Sequence, residues 1–172
     1  MTTLLLVRHG ETDWNAEGRL QGHTDRPLND HGRRQARALA EELAGDKIAA
    51  VYASDLVRAR ETAEIVAERL TLAVVVDVDL REKNWGSWEG LTPAERERVA
   101  YEGEATDEHR ERTLRAVQRI AERHAGDRVL VVTHGGSVRR VQAAVLGMAL
   151  PVVDNCAVWA VAWEGGLFRP ID

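Results

Sequence analysis

The sequence predicts an α/β fold: a three-layer α/β/α sandwich with a mainly parallel central sheet, helices on both faces and an antiparallel C-terminal hairpin. Three observations predict it. Short, wholly apolar runs such as LLLV (Leu4–Val7) and VLVV (Val129–Val132) have the pattern of strands covered on both faces. Segments with apolar residues at helical spacing lie between such runs, the βαβ alternation of a parallel sheet. The last run, CAVWAVAWEGGLFRP, doubles back at Gly165-Gly166, a hairpin signal.

Each element has its own local warrant. After the LLLV strand and a polar loop, Ala36, Leu39, Ala40 and Leu43 recur at helical spacing, with Asn29 as N-cap and Gly45 as stop. IAAVYAS is the next strand, and SDLVRARETAEIVAERL a helix with Ser54 near its cap. LAVVVDVDL is β-branched and strand-like. TPAE, Thr92 to Glu95, is a capping box with proline at the first helical position. A helix follows from near Asp107 to Ala125, then the strand RVLVVT, then the helix SVRRVQAAVLG ending at Gly147. Trp159 and Trp163 lie four apart on the final hairpin, hence on one face, and suit the core or a homodimer interface.

The 172 residues suit one domain, 1–172. Net charge is −5, with basic residues scattered through helical stretches rather than gathered on one face, which argues against a nucleic-acid binder. No apolar run approaches the roughly 18 residues of a membrane span, and MTTLLLVRHG lacks the pattern of a secretory signal. The single cysteine, Cys156, permits no internal disulfide and fits a reducing cytoplasm.

Two strands end in the same way. LLLVRHG delivers Arg8, His9 and Gly10, and VLVVTHGG delivers His134, Gly135 and Gly136. Ligands of parallel sheets gather beyond the carboxyl ends of the strands, so this topology can bring His9 and His134 together. One histidine alone could merely cap its strand; two, each followed by glycine, point to a site. A phosphate there needs fork-shaped cationic donors, for which Arg8 and Arg58 are the candidates. Arg58 could instead be a surface helix residue paired with Glu61 or Glu64. A neutral histidine can accept a phosphoryl group, and a carboxyl can protonate the leaving oxygen and later deprotonate water. Glu82 is the candidate carboxyl, since the apolar neighbours Trp85 and Trp88 would favour the protonated form a general acid requires; Glu89 competes for the role. Trp14, Trp85 and Trp88 are candidates for an apolar substrate wall.

These blocks resemble the histidine phosphatase superfamily in its phosphoglycerate-mutase-like branch. The resemblance runs in order through RHGETDWN, GRLQGHTDRPLNDHGRRQA, VYASDLVRARETA, LREKNWGSWEG and VVTHGG, and so covers nearly the whole chain. It implies that His9 becomes phosphohistidine and that Arg8, Arg58 and His134 hold the phosphate, His134 as a cation. It implies that Glu82 donates and accepts the proton. Asn15, Gln21 and Gly22 match positions lining the same pocket, with Thr133 and Gly135 flanking His134. It also implies no metal and no cofactor, and a small phosphomonoester as the partner.

The departures from the family pattern bear on activity. GEA at Gly103–Ala105 stands where a GES-like motif is usual, and only 12 residues, Leu91 to Glu102, separate it from WEG. The resembling mutases carry longer insertions here, so the short connection favours water as acceptor. Lys83 stands where an apolar residue is common and either adds a cation near the mouth or points outward. The expected activity is therefore phosphomonoester hydrolysis. The alternatives are a 2,3-bisphosphoglycerate-dependent mutase using the same phosphohistidine and a non-catalytic phosphoester-binding module. A metal site of His9, His23, Glu82 and His134 lacks the HExxH spacing, and Ser137 lacks a GxSxG frame. Arg139-Arg140 reads as a solvated pair with a small chance of substrate contact.

Overall fold

A computed structural model describes residues 1–171. Its α-helices and strands are β1 (Thr2–Arg8), α1 (Asp13–Ala16), α2 (Asp30–Glu42), β2 (Ile48–Ala53), α3 (Val57–Leu70), β3 (Val74–Val76), α4 (Pro93–Arg96), α5 (Thr106–Arg123), β4 (Arg128–Thr133), α6 (Gly135–Leu146), β5 (Val158–Glu164) and β6 (Leu167–Pro170). The six strands form one sheet in the order β3-β2-β4-β1-β5-β6. β3, β2, β4 and β1 run parallel; β5 lies antiparallel to β1, and β6 antiparallel to β5.

Strand alternation sorts each apolar run onto two faces. Leu4, Leu6, Val129 and Val131 pack against Ala116, Val117, Ile120 and Ala121 of α5 and Val138 and Val141 of α6. Leu5, Val7, Leu130 and Val132 face the other way, against Leu39 and Ala40 of α2 and Ala59, Ala63 and Val66 of α3. Two helices on each face complete the expected three layers. Trp159 and Trp163 pack against the first of these cores, Trp163 with its ring centroid 4.6 Å from Phe168. Among the described residues no helix is long and apolar enough to cross a membrane.

Local signals held where the chain is regular. Asn29 caps α2, its side chain accepting from Gly32 N–H at 2.8 Å. Gly147 ends α6 and Gly165-Gly166 turns the hairpin, all three at positive φ, where glycine escapes the steric cost of a Cβ. The expected third strand is shortened to Val74–Val76, because the Asp77 side chain accepts from Asp79 N–H and starts a 3-10 turn over Val78–Leu80. The TPAE capping box forms but supports a single turn, α4. The one-turn α1, capped by Thr12, was not anticipated.

Candidate active site

β1 and β4 are neighbours in parallel register, with Arg8 opposite Thr133, so the residues that follow emerge side by side. The imidazoles of His9 and His134 meet edge to face, ring centroids 5.2 Å apart. His9 Nδ1 lies 2.7 Å from the Gly10 carbonyl oxygen. A carbonyl only accepts, so Nδ1 carries the proton and Nε2 keeps its lone pair. Arg58 Nε donates toward that lone pair at 3.3 Å. Burial first, then the charges of Arg58 and Arg8, hold the His9 imidazole well below the ordinary histidine value, so it is neutral. Burial and Arg58 do the same to His134, whose two ring nitrogens have no hydrogen-bond partner among the described residues.

Arg58 is 1 % exposed, which rules out the surface-pair alternative. Glu61 pairs with Arg33 and Glu64 with Arg60 instead. Its guanidinium donates to the Gly22 carbonyl at 2.7 Å and the Thr24 carbonyl at 3.1 Å. Burial lowers its pKa to about 10, so it stays cationic at neutral pH. Gly22 sits at φ +54°, and a Cβ there would meet Glu89 Oε1 at 2.1 Å. Arg8 donates to the Val153 carbonyl at 2.8 Å.

Glu82 does not sit in apolar surroundings. Oε1 accepts from Lys83 N–H at 2.8 Å, and Oε2 from Gly136 N–H at 2.9 Å, in the first turn of α6 where the helix dipole favours an anion. Glu89, the competing carboxyl, is spent on structure: it accepts from the amides of His23, Thr24 and Trp85 and from the Thr24 hydroxyl. The Glu82 loop is held from behind by Arg112, which donates to the carbonyls of Asp79, Arg81 and Glu82 and pairs with Glu104 at 2.9 Å. Arg112 was invisible as a site residue in the sequence, where it is one helical arginine among many.

A cavity of about 320 Å³ opens over these groups. Of the expected residues, Arg8, His9, Asn15, Gln21, Gly22, Arg58, Glu82 and Gly135 line it. Thr12 orients both Gln21 and Asn15, its hydroxyl reaching Gln21 Oε1 at 2.8 Å and Asn15 Oδ1 at 3.2 Å, and Asn155 donates to Asn15 Oδ1 at 3.4 Å. Two of the expected residues lie behind the cavity surface. Thr133 does not line the cavity: its hydroxyl donates to the Leu80 carbonyl at 2.7 Å and ties β4 to the Glu82 loop. His134 is wholly buried and does not line the cavity surface; it backs His9 from below. Lys83 takes neither expected course. It is buried, its ammonium 4.6 Å from the Trp85 ring centroid, 4.8 Å from that of Tyr101 and 2.9 Å from Thr106 Oγ1. Of the three tryptophans named as a wall, only Trp85 lines the cavity; Trp88 stacks behind it and donates to the Val99 carbonyl.

The arginine pair read as solvated, with a small chance of substrate contact, is half-buried at the cavity. Arg139 and Arg140 both line the cavity, and among the described residues neither takes part in a salt bridge. Among the described residues no three His, Cys, Asp or Glu side chains gather where they could hold a metal ion.

The geometry defines a class: an α/β protein with an arginine-lined cavity at the carboxyl end of its parallel strands and a neutral histidine at the floor. The profile of the histidine phosphatase superfamily (branch 1) matches residues 4–170, and the chain belongs to that family. It is similar to phosphoglycerate mutase-like protein 4 of Arabidopsis thaliana, 44% identical over 155 residues, spanning 79% of this chain and 67% of the relative. It is similar to a metal-independent phosphoserine phosphatase of the same plant, 42% identical over 160 residues, 82% of this chain and 67% of the relative. Among solved structures, YhfR of Bacillus stearothermophilus superposes with a TM-score of 0.91 at 37% identity, covering 98% of this chain and 94% of that one.

Proposed function

We propose that this protein is a phosphomonoesterase that hydrolyses a small phosphorylated metabolite through a phosphohistidine on His9, without a metal. The observation that carries this reading is the state of His9: neutral, its Nδ1 proton committed to the Gly10 carbonyl, its Nε2 lone pair at the cavity floor beside Arg58. Nε2 attacks phosphorus in line, and the bond from phosphorus to the ester oxygen breaks. Glu82 delivers a proton to that departing oxygen. Water then attacks the phosphohistidine while Glu82 takes back a proton, which frees inorganic phosphate and restores His9. Arg8 and Arg58 face the equatorial phosphoryl oxygens with cations already in place, the preorganisation that lowers barriers of this kind. The phosphoserine phosphatase relative, metal-independent by name, supports this reading.

Arg139 and Arg140 bear on the leaving group. Two guanidinium groups with no salt bridge among the described residues line the same cavity. A leaving group that carries its own negative charge, such as a carboxylate, matches them. The short connection 91–102, which the sequence sets against the longer mutase insertions, favours water over a second phosphoacid as acceptor.

A panel of phosphomonoesters, including phosphoserine and 3-phosphoglycerate, tests the reading by release of inorganic phosphate. Isomerisation to 2-phosphoglycerate is measured in parallel. Acid-labile phosphate trapped by quenching should appear on the wild-type protein and be missing from H9A. Full turnover by H9A would end the proposal, and isomerisation exceeding phosphate release would make the protein a mutase.

A further inference from the structure

His109 was not anticipated as a site residue, yet it is wholly buried beside the carboxyl of Glu82. It lies in the first turn of α5, and its Nε2 is 3.0 Å from Ser137 Oγ in α6. The Ser137 hydroxyl in turn donates to the Arg81 carbonyl at 3.2 Å. A hydroxyl has one proton to give, so His109 Nε2 must be the donor in the first contact and carry the ring's proton. Burial lowers the His109 pKa and keeps the ring neutral, against the opposing pull of Glu82. The same Nε2 stands 3.7 Å from Glu82 Oε1, too long for a hydrogen bond but close enough for the positive end of the N–H it gives to Ser137 to bias that oxygen.

The two carboxyl oxygens of Glu82 are therefore unequal. Oε1 accepts the Lys83 amide and lies 3.7 Å from His109 Nε2; Oε2, among the described residues, accepts the Gly136 amide alone. We infer that His109 is a positioning residue for proton transfer: together with the Lys83 amide it keeps Oε1 in the accepting role, so that the transferable proton resides on Oε2. In the first step that proton passes from Oε2 to the departing ester oxygen; in the second, Oε2 receives one from water. His109 itself neither gains nor loses a proton. This inference rests on the reading of Glu82 as the proton donor and acceptor.

Leaving-group dependence tests it, because an aryl phosphate with an acidic phenol departs without help while an alkyl phosphate needs the proton. The rate of phosphoenzyme formation is measured by rapid quench on p-nitrophenyl phosphate and on an alkyl phosphate, for wild type, E82Q, H109L and H109Q. E82Q should lose the alkyl rate far more than the aryl rate; equal losses there would overturn the role of Glu82 itself. With that control in place, H109L should lose about tenfold on the alkyl ester, a fraction of the ~10²–10⁴ that a positioned general acid supplies, and little on the aryl ester. H109Q, which keeps an N–H at similar depth, should restore most of the alkyl rate. H109M replaces H109L if the latter does not fold. An apolar variant that slows both esters equally, or neither, overturns the positioning role while leaving that of Glu82 intact.

Discussion

The rings of His9 and His134 pack edge to face at 63°, and both are neutral because they share one buried, cationic surrounding. A third buried histidine, His109, is likewise lowered by burial. All three titrate near 6.5 in the unfolded chain and lower in the folded one. Below about pH 6.5 the unfolded state therefore binds protons that the folded state refuses. Their contribution to stability is present above that pH and is lost as pH falls toward the folded values. Thermal melts should show Tm dropping on acidification from pH 7 to pH 5. Each histidine adds a slope of up to about 1.4 kcal/mol per pH unit, and H109M should flatten the dependence by one histidine's share.

Removing the Arg58 guanidinium should be severe. R58A is expected to cost about 3–4 kcal/mol of barrier, a fall of about 10²–10³ in kcat, the usual price of one lost transition-state donor. R58K should not rescue it. The fork donates at once toward His9 Nε2 and to the Gly22 and Thr24 carbonyls, and a single ammonium cannot span three such positions. Steady-state kinetics on any accepted ester reads both variants.

Specificity should separate from chemistry at α6. R139A and R140A are expected to raise KM about tenfold for esters whose leaving group bears a carboxylate, in line with the worth of a charge-assisted hydrogen bond. For an uncharged alkyl phosphate KM should barely move. The ratio of kcat/KM for phosphoserine over the uncharged ester is the measurement.

Gly136 offers a test that leaves the backbone alone. Its φ is not positive, so alanine is conformationally acceptable, yet a Cβ would stand 2.2 Å from Glu82 Oε1. The carboxyl must give way. G136A should keep its melting temperature within a few degrees and bind phosphate as wild type does, but lose kcat on alkyl phosphates.

Much of the fold was legible because its signals are local. The apolar runs of β1 and β4, the Asn29 cap and the Gly165-Gly166 turn depend on residues within a few positions of one another. The third strand was overread because β-branched residues say nothing of where Asp77 will turn the chain. Position within a helix likewise hides which arginine points where. Arg58, Arg112 and Arg140 look alike in sequence, yet one is buried in the cavity lining beside His9, one braces a loop and one is a half-buried part of the cavity lining.

By itself the sequence determined the family, the alternation of strands and helices, and the residue types offered at two strand ends. Tertiary structure alone decided their company. Gly136 reaches Glu82 across 54 positions, Thr133 reaches Leu80 across 53, and His109 reaches Ser137 across 28. Such contacts follow from the strand order β2-β4-β1 and from two helices packing on one face, a collective outcome of burying both sides of the sheet. No window of sequence records that outcome, because hydrophobic burial fixes which faces meet without regard to how far apart their residues lie along the chain.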